Sequence, residues 1–390
     1  MDHPAVSPAP ALLIECQRDV LLAAIQAADA VVPTSSTRPI LTNLLLEASD
    51  QRLEIIATDL QVGLRCVVRQ VDVRGHGQAV VPARKLAELL KESSSPTVLL
   101  RHEVRGEASQ LAIQLADGDY AVQAVIGEPF PAVAGFPADH QVFSLPGRRF
   151  VSMLSRTAFA MDKDRTSAVL SGMMVAIGHG ELVMAATDGK VLAETVDKSD
   201  GFIPADGERL VMVLPATTVG HLQRIMAGSE PERVDLAVAG KVACLRLNLA
   251  QGLQVDLTSR LVDGTFPSYR NALVAKPVTE AGCVQFRTAD LAAAVRRAAL
   301  MTSSNSRGIV INLDADRAVL NNLNHTTGTA RIPVSCSYRG NPQRFAIDHK
   351  YLQDVLRVYE AEVFAIELGR GLVMREPEAT YLIMPISLPG

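Results

Sequence analysis

The chain has no tryptophan, and aromatic residues make up only 4% of its 390 positions. Its cores must therefore be built from Leu, Val, Ile, Ala and Met; a fully buried Leu, Val, Ile or Met contributes roughly 1.5–3 kcal/mol. No apolar run is long enough to span a bilayer, because residues such as Gln26 and Asp29 interrupt the longest ones. The opening "MDHPAVSPAP" lacks a basic segment leading into an apolar one, which argues against a signal peptide. Residues 1–10 read instead as a short disordered leader. The five cysteines (Cys16, Cys66, Cys244, Cys283, Cys336) are dispersed, with no CxxC or metal-ligand spacing. An odd, scattered set points to reduced cytoplasmic thiols, mostly buried as small hydrophobes. Net charge is −4, which argues against gripping nucleic acid through a strongly basic surface. A locally basic channel remains compatible with that balance.

Catalytic signatures are also missing. The sequence holds no GxxxxGK[ST] phosphate loop, no GxGxxG after a strand, and no HExxH, GxSxG or SxxK pattern. Its eight histidines are dispersed. His325 in "NLNHTTG" is the most isolated of them, but a lone histidine in a turn is more often structural or solvated than catalytic. Asp59 and Asp188 invite a carboxylate pair. Their identical place in a repeated segment favours turn chemistry after Thr instead. No enzyme, cofactor or metal is expected.

What the sequence does contain is folded-chain composition, 48% hydrophobic and 21% charged, and internal repetition. "RPILTNLLLEASDQRLEIIATDLQVGLRC" (38–66) matches "SAVLSGMMVAIGHGELVMAATDGKVLAET" (167–195), with Leu41 and Leu170, and Asp59 and Asp188, all 129 residues apart. A weaker third copy starts at Ser306. Each is followed by a strand, a turn residue and an amphipathic helix: "VVPARKLAELLKES", "MVLPATTVGHLQRIMAGSE" and "FAIDHKYLQDVLRVYEAE". Each is preceded by another strand entering a helix, as in "LIECQRDVLLAAIQAADAVV". Alternating runs such as "QLAIQLADGDYAVQAVI" read as half-buried antiparallel strands. Three units of roughly 130 residues result. With boundaries near Asp139–Gln141 and Leu273–Thr279, they cover 11–139, 140–273 and 274–390. The expected architecture is α+β, with six helices and six small sheets. A solenoid is the alternative, but units this long can each bury a core.

The helical segments carry more bases than acids on their polar faces: Arg18, Arg84, Lys85, Lys91, Arg148, Arg149, Arg156, Arg224, Arg296, Arg297, Lys350 and Arg357. For any one residue an ordinary solvated face explains this. Over six helices in an acidic chain, the bias points to one surface facing a polyanion.

The ordered set "RPILTNLLLEA", "VVPARKLAELL", "ATDGKVLA", "LVDGTFPSYRNAL", "EAGC" and "YLIMPISL" resembles the bacterial sliding clamp, the β subunit of DNA polymerase III, across residues 12–388. The resemblance implies three tandem clamp domains, each with two helices packed on antiparallel sheets, closing head to tail into a homodimeric ring. Such a ring encircles double-stranded DNA without reading sequence and tethers the polymerase III alpha subunit, the clamp loader delta subunit and other peptide-bearing proteins. By the same resemblance, Arg38, Arg84, Lys85, Arg148, Arg149, Arg156, Arg165, Arg224, Arg296, Arg297 and Lys350 face DNA. Tyr120 and Val122 would meet Leu300 and Met301 across the subunit interface. A hydrophobic cleft for partner peptides would contain Leu170, Thr187, Gly189, Lys190, Val191, Leu192, Pro267, Met384, Pro385 and Ile386.

The chain also departs from the family pattern. Lys190-Val191 stands where His-Arg is usual, Ser167 replaces an arginine, "FPSYR" replaces "FPDYR", Ala216-Thr217 replaces a basic pair, and Ser306 replaces an aromatic residue. These changes imply a shifted peptide preference or a divergent second clamp. A clamp-fold scaffold that does not encircle DNA is the competing expectation. The apolar tail "YLIMPISLPG" reads as a last strand over Tyr381–Met384, with Pro385 ending its pairing.

Overall fold

The structure, a computed structural model, describes residues 12–105, 108–199, 201–273, 282–303, 306–323 and 328–388. The 1–10 leader, His325 and most of the Leu273–Thr279 boundary lie outside the described residues.

The first copy comprises β1 (Leu13–Gln17), α1 (Arg18–Asp29), β2 (Asn43–Ser49), β3 (Arg52–Thr58), β4 (Val62–Val68), β5 (Val71–Gly75), β6 (Gly77–Pro82), α2 (Ala83–Glu92), β7 (Thr97–Arg105), β8 (Ala108–Leu115) and β9 (Gly118–Gln123). The second repeats the plan with β10 (Phe143–Pro146), α3 (Gly147–Ala158), β11 (Met173–Gly178), β12 (Glu181–Thr187), β13 (Val191–Lys198), β14 (Leu210–Leu214), α4 (Ala216–Gly228), β15 (Arg233–Ala239), β16 (Val242–Asn248) and β17 (Gln254–Arg260). After a one-turn helix, α5 (Arg270–Leu273), the third copy has β18 (Cys283–Arg287), α6 (Thr288–Ala299), β19 (Gly308–Asp314), β20 (Arg317–Asn322) and β21 (Arg331–Ser335). It continues with β22 (Ser337–Tyr338), β23 (Gln343–Asp348), α7 (His349–Val358), β24 (Val363–Leu368), β25 (Leu372–Glu376) and β26 (Ala379–Ile383).

Strands run directly into five of the six long helices, with Pro215 intervening only before α4, and extended residues serve as caps. Gln17, Pro82 and Arg287 precede α1, α2 and α6 without a side-chain cap, whereas Asp348 accepts from the Lys350 N–H at the start of α7. Helix α2 shows why the segments are amphipathic. Ala83, Leu86 and Leu90 are buried at helical spacing, while Arg84, Lys85 and Lys91 are exposed.

Among the described residues the six expected small sheets are replaced by four, because neighbouring copies pair edge to edge. The chain divides into two compact units, one made of residues up to Val151 with Thr217–Leu261, the other of Ser152–Ala216 with the residues from Val262 on. The first unit holds a five-stranded sheet, β5-β1-β7-β8-β9, and an eight-stranded sheet, β10-β15-β16-β17-β4-β3-β2-β6. The second holds a nine-stranded sheet, β14-β11-β12-β13-β26-β25-β24-β18-β22, and a four-stranded sheet, β21-β20-β19-β23. Among the described residues every strand pairing in these sheets is antiparallel. The joins β4–β17 and β13–β26 satisfy backbone groups that separate sheets would leave open at their edges. In the first unit α1 packs on β3, β4 and α2; in the second, α6 packs on β18, β20, β21 and α7.

Candidate functional site

The candidate cleft lies within the second unit and grows from the turn between β12 and β13. Thr187 donates its hydroxyl to the Val191 carbonyl at 2.7 Å and accepts the Gly189 N–H at 3.1 Å. Asp188 Oδ1 accepts the N–H groups of Lys190 and Val191, each at 2.8 Å. Gly189 has φ +85°, a left-handed conformation that costs glycine nothing. The turn expected at Asp188 is therefore present, and so is its counterpart at Asp59, whose Oδ1 accepts from Gln61 and Val62. Tyr351 of α7 donates its hydroxyl to Asp188 Oδ2 at 2.7 Å, fixing the turn from a second side. Burial, reinforced by the bond to Asp188, pushes the Tyr351 hydroxyl well above its ordinary range.

The tail forms the adjoining wall. Ile383 pairs with Val191 and Leu382 with Leu192, and the Met384 N–H donates to the Lys190 carbonyl at 2.7 Å. The strand therefore starts at Ala379 and ends at Ile383 rather than spanning Tyr381–Met384. Pairing with β13 ends before Pro385, and Ile386 then makes a separate bridge to another sheet by donating to the Ala346 carbonyl of β23 at 2.8 Å. Met384 keeps 41% of its surface exposed beside the exposed Gly189 and Lys190.

A linker closes the third side. Phe266, Tyr269 and Leu273 pack with Leu192, Leu382, Val373 and Met174 in one apolar cluster, leaving Pro267 exposed between the two aromatic anchors. The Tyr269 hydroxyl donates to Glu194 of β13, and Arg270 reaches the same carboxylate at 3.3 Å. Burial first, and the Glu194 hydrogen bond second, push the Tyr269 hydroxyl well up. Leu170 is half-buried, its carbonyl accepting the Asp162 N–H at 2.9 Å, and neighbouring Val169 packs on the same cluster. The structure thus joins the turn, the tail and the linker into one apolar site. Sequence reasoning missed Tyr351, Tyr269 and Glu194, which hold these parts in place. The Tyr in "FPSYR" was the available signal.

The cations expected to face DNA divide into two groups. Arg84, Lys85, Arg148, Arg165, Arg296, Arg297 and Lys350 are exposed; Arg38 is exposed too, 3.5 Å from Glu128, and Arg149 is half-buried. Arg156 departs from the expected DNA-facing set. It is 7% exposed, with its guanidinium paired to Glu376 and its Nε donating to the Tyr381 hydroxyl at 3.0 Å. Burial pushes that hydroxyl up to about 12. Arg156 therefore pins α3 to the β25–β26 hairpin. Arg224 spends one nitrogen on the Ala30 carbonyl at the end of α1 and on His221 Nδ1. The subunit-contact candidates differ in exposure: Tyr120 is 42%, Leu300 75% and Met301 36% exposed, but Val122 only 7%. Among the described residues no cluster of side chains could hold a metal ion.

Family models for the N-terminal, central and C-terminal domains of the DNA polymerase III beta subunit match residues 12–132, 144–268 and 277–387. The chain belongs to the DNA polymerase III beta subunit family. It is 28% identical over 378 residues to the beta sliding clamp of Pseudomonas aeruginosa, covering 95% of this chain and 99% of that one. It is 26% identical over 383 residues to the beta sliding clamp of Proteus mirabilis, with the same coverage. Among solved structures, the P. aeruginosa DNA polymerase III subunit beta superposes with a TM-score of 0.84 at 26% identity, covering 96% of this chain and all of that one. A P. aeruginosa clamp bound to griselimycin also matches, with a TM-score of 0.84 at 25% identity, covering 97% and 100%. The three copies read from the sequence are thus the three domains of a beta subunit.

Proposed function

We propose that the chain is a non-enzymatic DNA sliding clamp of the cytoplasm: two copies close into a ring around duplex DNA, and a cleft on each tethers replication and repair proteins. The observation that carries this reading is that every domain places exposed cations on its helices (Arg84 and Lys85; Arg148; Arg296, Arg297 and Lys350) in a chain whose net charge is −4. Phosphate-directed contacts of this kind hold a duplex without reading bases. Topological retention removes the need for a strongly basic protein. Ring closure by a twofold operator would bring Tyr120 and Val122 of one copy to Leu300 and Met301 of the other. No helix among the described residues is long and apolar enough to cross a membrane.

The apolar site fits a short linear peptide. Leu170, Pro267, Met384 and Ile386 supply aliphatic and sulfur surface that repacks around related sequences, with the almost fully buried Val191 and Leu192 as the floor beneath them. The exposed Gly189, Lys190 and Pro385 form its rim, and the buried Thr187 holds the turn that presents them. The polymerase III alpha subunit and the clamp loader delta subunit are the partners this reading assigns. With Lys190-Val191 in place of the usual His-Arg, Val191 turns into the core and the rim keeps only the Lys190 cation of that pair, which alters peptide preference.

Light scattering on the purified chain tests ring formation, with a mass near twice 41.8 kDa expected and a monomer at micromolar concentration contradicting it. Fluorescence polarisation with a consensus clamp-binding peptide tests the cleft. Micromolar binding lost in Leu170→Asp and Met384→Asp is expected, and no binding by the parent chain overturns the cleft assignment.

A further inference from the structure

The second helix of each copy aligns through the buried Leu86, Val219 and Leu352, which are spaced 133 residues apart. Two positions beyond each of them stands a hydrogen-bond acceptor, and five positions beyond each a cation. The pairs are Glu88 and Lys91 on α2, His221 and Arg224 on α4, and Asp354 and Arg357 on α7. The middle copy alone has a histidine where the others have a carboxylate. On α7 the carboxylate holds the cation and offsets its charge, Arg357 donating to Asp354 Oδ1 at 2.9 Å. On α4 the same spacing is used with an uncharged partner. Arg224 Nη2 meets His221 Nδ1 at 2.7 Å and also donates to the Ala30 carbonyl at the end of α1. A guanidinium has no acceptor, so Nδ1 accepts and the ring proton sits on Nε2, which faces Asp59 Oδ2 at 3.6 Å.

Resting on the ring reading, in which Arg224 faces DNA, we infer that His221 is a positioning residue for that contact: it orders the Arg224 guanidinium without cancelling its charge. His221 is 8% exposed and fixed from the far side by the Asp59 turn, whereas Arg224 is exposed. Both anchors fall on one nitrogen, which leaves the Nε and Nη1 donors to meet a phosphate. A long cationic side chain gives up rotamer freedom when it meets a ligand, and one already held by its neighbours has less to give up. A carboxylate at position 221 would supply the same order but offset the charge that a phosphate reads.

The arrangement works only with a neutral imidazole. Protonation of Nδ1 turns the acceptor into a donor facing a cation, so the anchor is lost in acid even though Asp59 favours the imidazolium. Asp29 at the end of α1 lies under the pull of Arg224 and of Arg84 on α2, and burial pushes its carboxyl up against that pull. Asp29, Arg84 and Asp59 are unchanged in all the variants below, so comparison among them isolates His221.

Anisotropy of a short fluorescein-labelled duplex, titrated with the full chain at several salt concentrations, tests the role. His221→Gln, whose side-chain carbonyl accepts the same hydrogen bond, is expected to bind as the parent does at about pH 8. His221→Leu removes the acceptor and His221→Asp offsets the charge; each is expected to bind at least about threefold more weakly. Arg224→Gln is expected to lose as much and to lower the salt slope by about one phosphate. From about pH 8 to about pH 5.5, across which imidazoles titrate, parental affinity is expected to fall relative to that of His221→Gln. This last comparison does not depend on the folding of the Leu variant. Parallel pH profiles for the parent and His221→Gln, or parental affinity in His221→Leu, overturn the positioning role. Parental affinity and salt slope in Arg224→Gln overturn it as well, by removing Arg224 from the DNA contacts. A parent chain whose duplex binding is absent or independent of salt overturns the ring reading itself.

Discussion

The joins β4–β17 and β13–β26 share a backbone plan and differ in almost every side chain that matters. Arg260 donates its N–H to the Gln61 carbonyl as Met384 does to that of Lys190. At the strand position where Leu192 packs with Leu382, Phe266 and Tyr269, the first join has Gly63, with Val133 against its bare Cα and Thr258 as the partner of Gly63. Arg65 pairs with Glu54 and donates to the Val133 carbonyl at 2.9 Å, while the equivalent Glu194 accepts from Tyr269 and Arg270. Each linker is therefore pinned by a charged residue at the same strand position, with the sign reversed. The repeated backbone supplies the same strand junction twice; Val133 packs against Gly63 in the first, and Met384 stays exposed beside the second.

The largest expected effect lies in a feature of the second join that the first lacks. Ala27 occupies the helical place equivalent to Arg156. Arg156→Met leaves the Glu376 carboxylate buried without its cation, and a loss of about 3–5 kcal/mol in chemical denaturation is expected. The turns come next. Leu60 holds φ 74° where the second turn has Gly189 at φ 85°. Gly189→Leu is expected to cost about 1–2 kcal/mol, and Leu60→Gly to be neutral or to stabilise by about 0.5 kcal/mol, both by thermal unfolding. Met384→Arg imports the residue of the first join. Peptide affinity should fall about tenfold in fluorescence polarisation with the melting temperature unchanged.

The smallest effect is a pH dependence of the first turn. Burial pushes the Asp59 carboxyl up, but the His221 imidazole 3.6 Å away and the hydrogen bonds from the Val62 and Gln61 N–H groups outweigh it and hold the group below the ordinary carboxylate range. A depressed folded-state value means that this stabilisation is complete above the unfolded value near 4. It is lost as pH falls through the folded one. Asp59→Asn should therefore narrow its stability gap to the parent chain as acid denaturation proceeds; a gap that widens would contradict the sign.

The sequence made the repeats, the six long helices and both Thr-Asp turns legible, because each is set by local spacing or by a residue bonding within four positions of itself. It did not show that sheets merge across copies, since pairings such as Val62 with Ser259 depend on edges far apart in the chain. The helical pattern put Arg156 on a polar face, and only the β25–β26 hairpin, more than 200 residues later, turns that face inward. Tyr351 was illegible for the same reason. It acts on a turn belonging to the preceding copy.

The central claim is topological. Its most direct test loads the chain onto nicked circular duplex with a bacterial clamp loader, isolates the complex at high salt, and then cuts the circle. The account predicts retention on the closed circle and release upon linearisation. Failure to be retained on the circle, or retention that survives cutting, would contradict it.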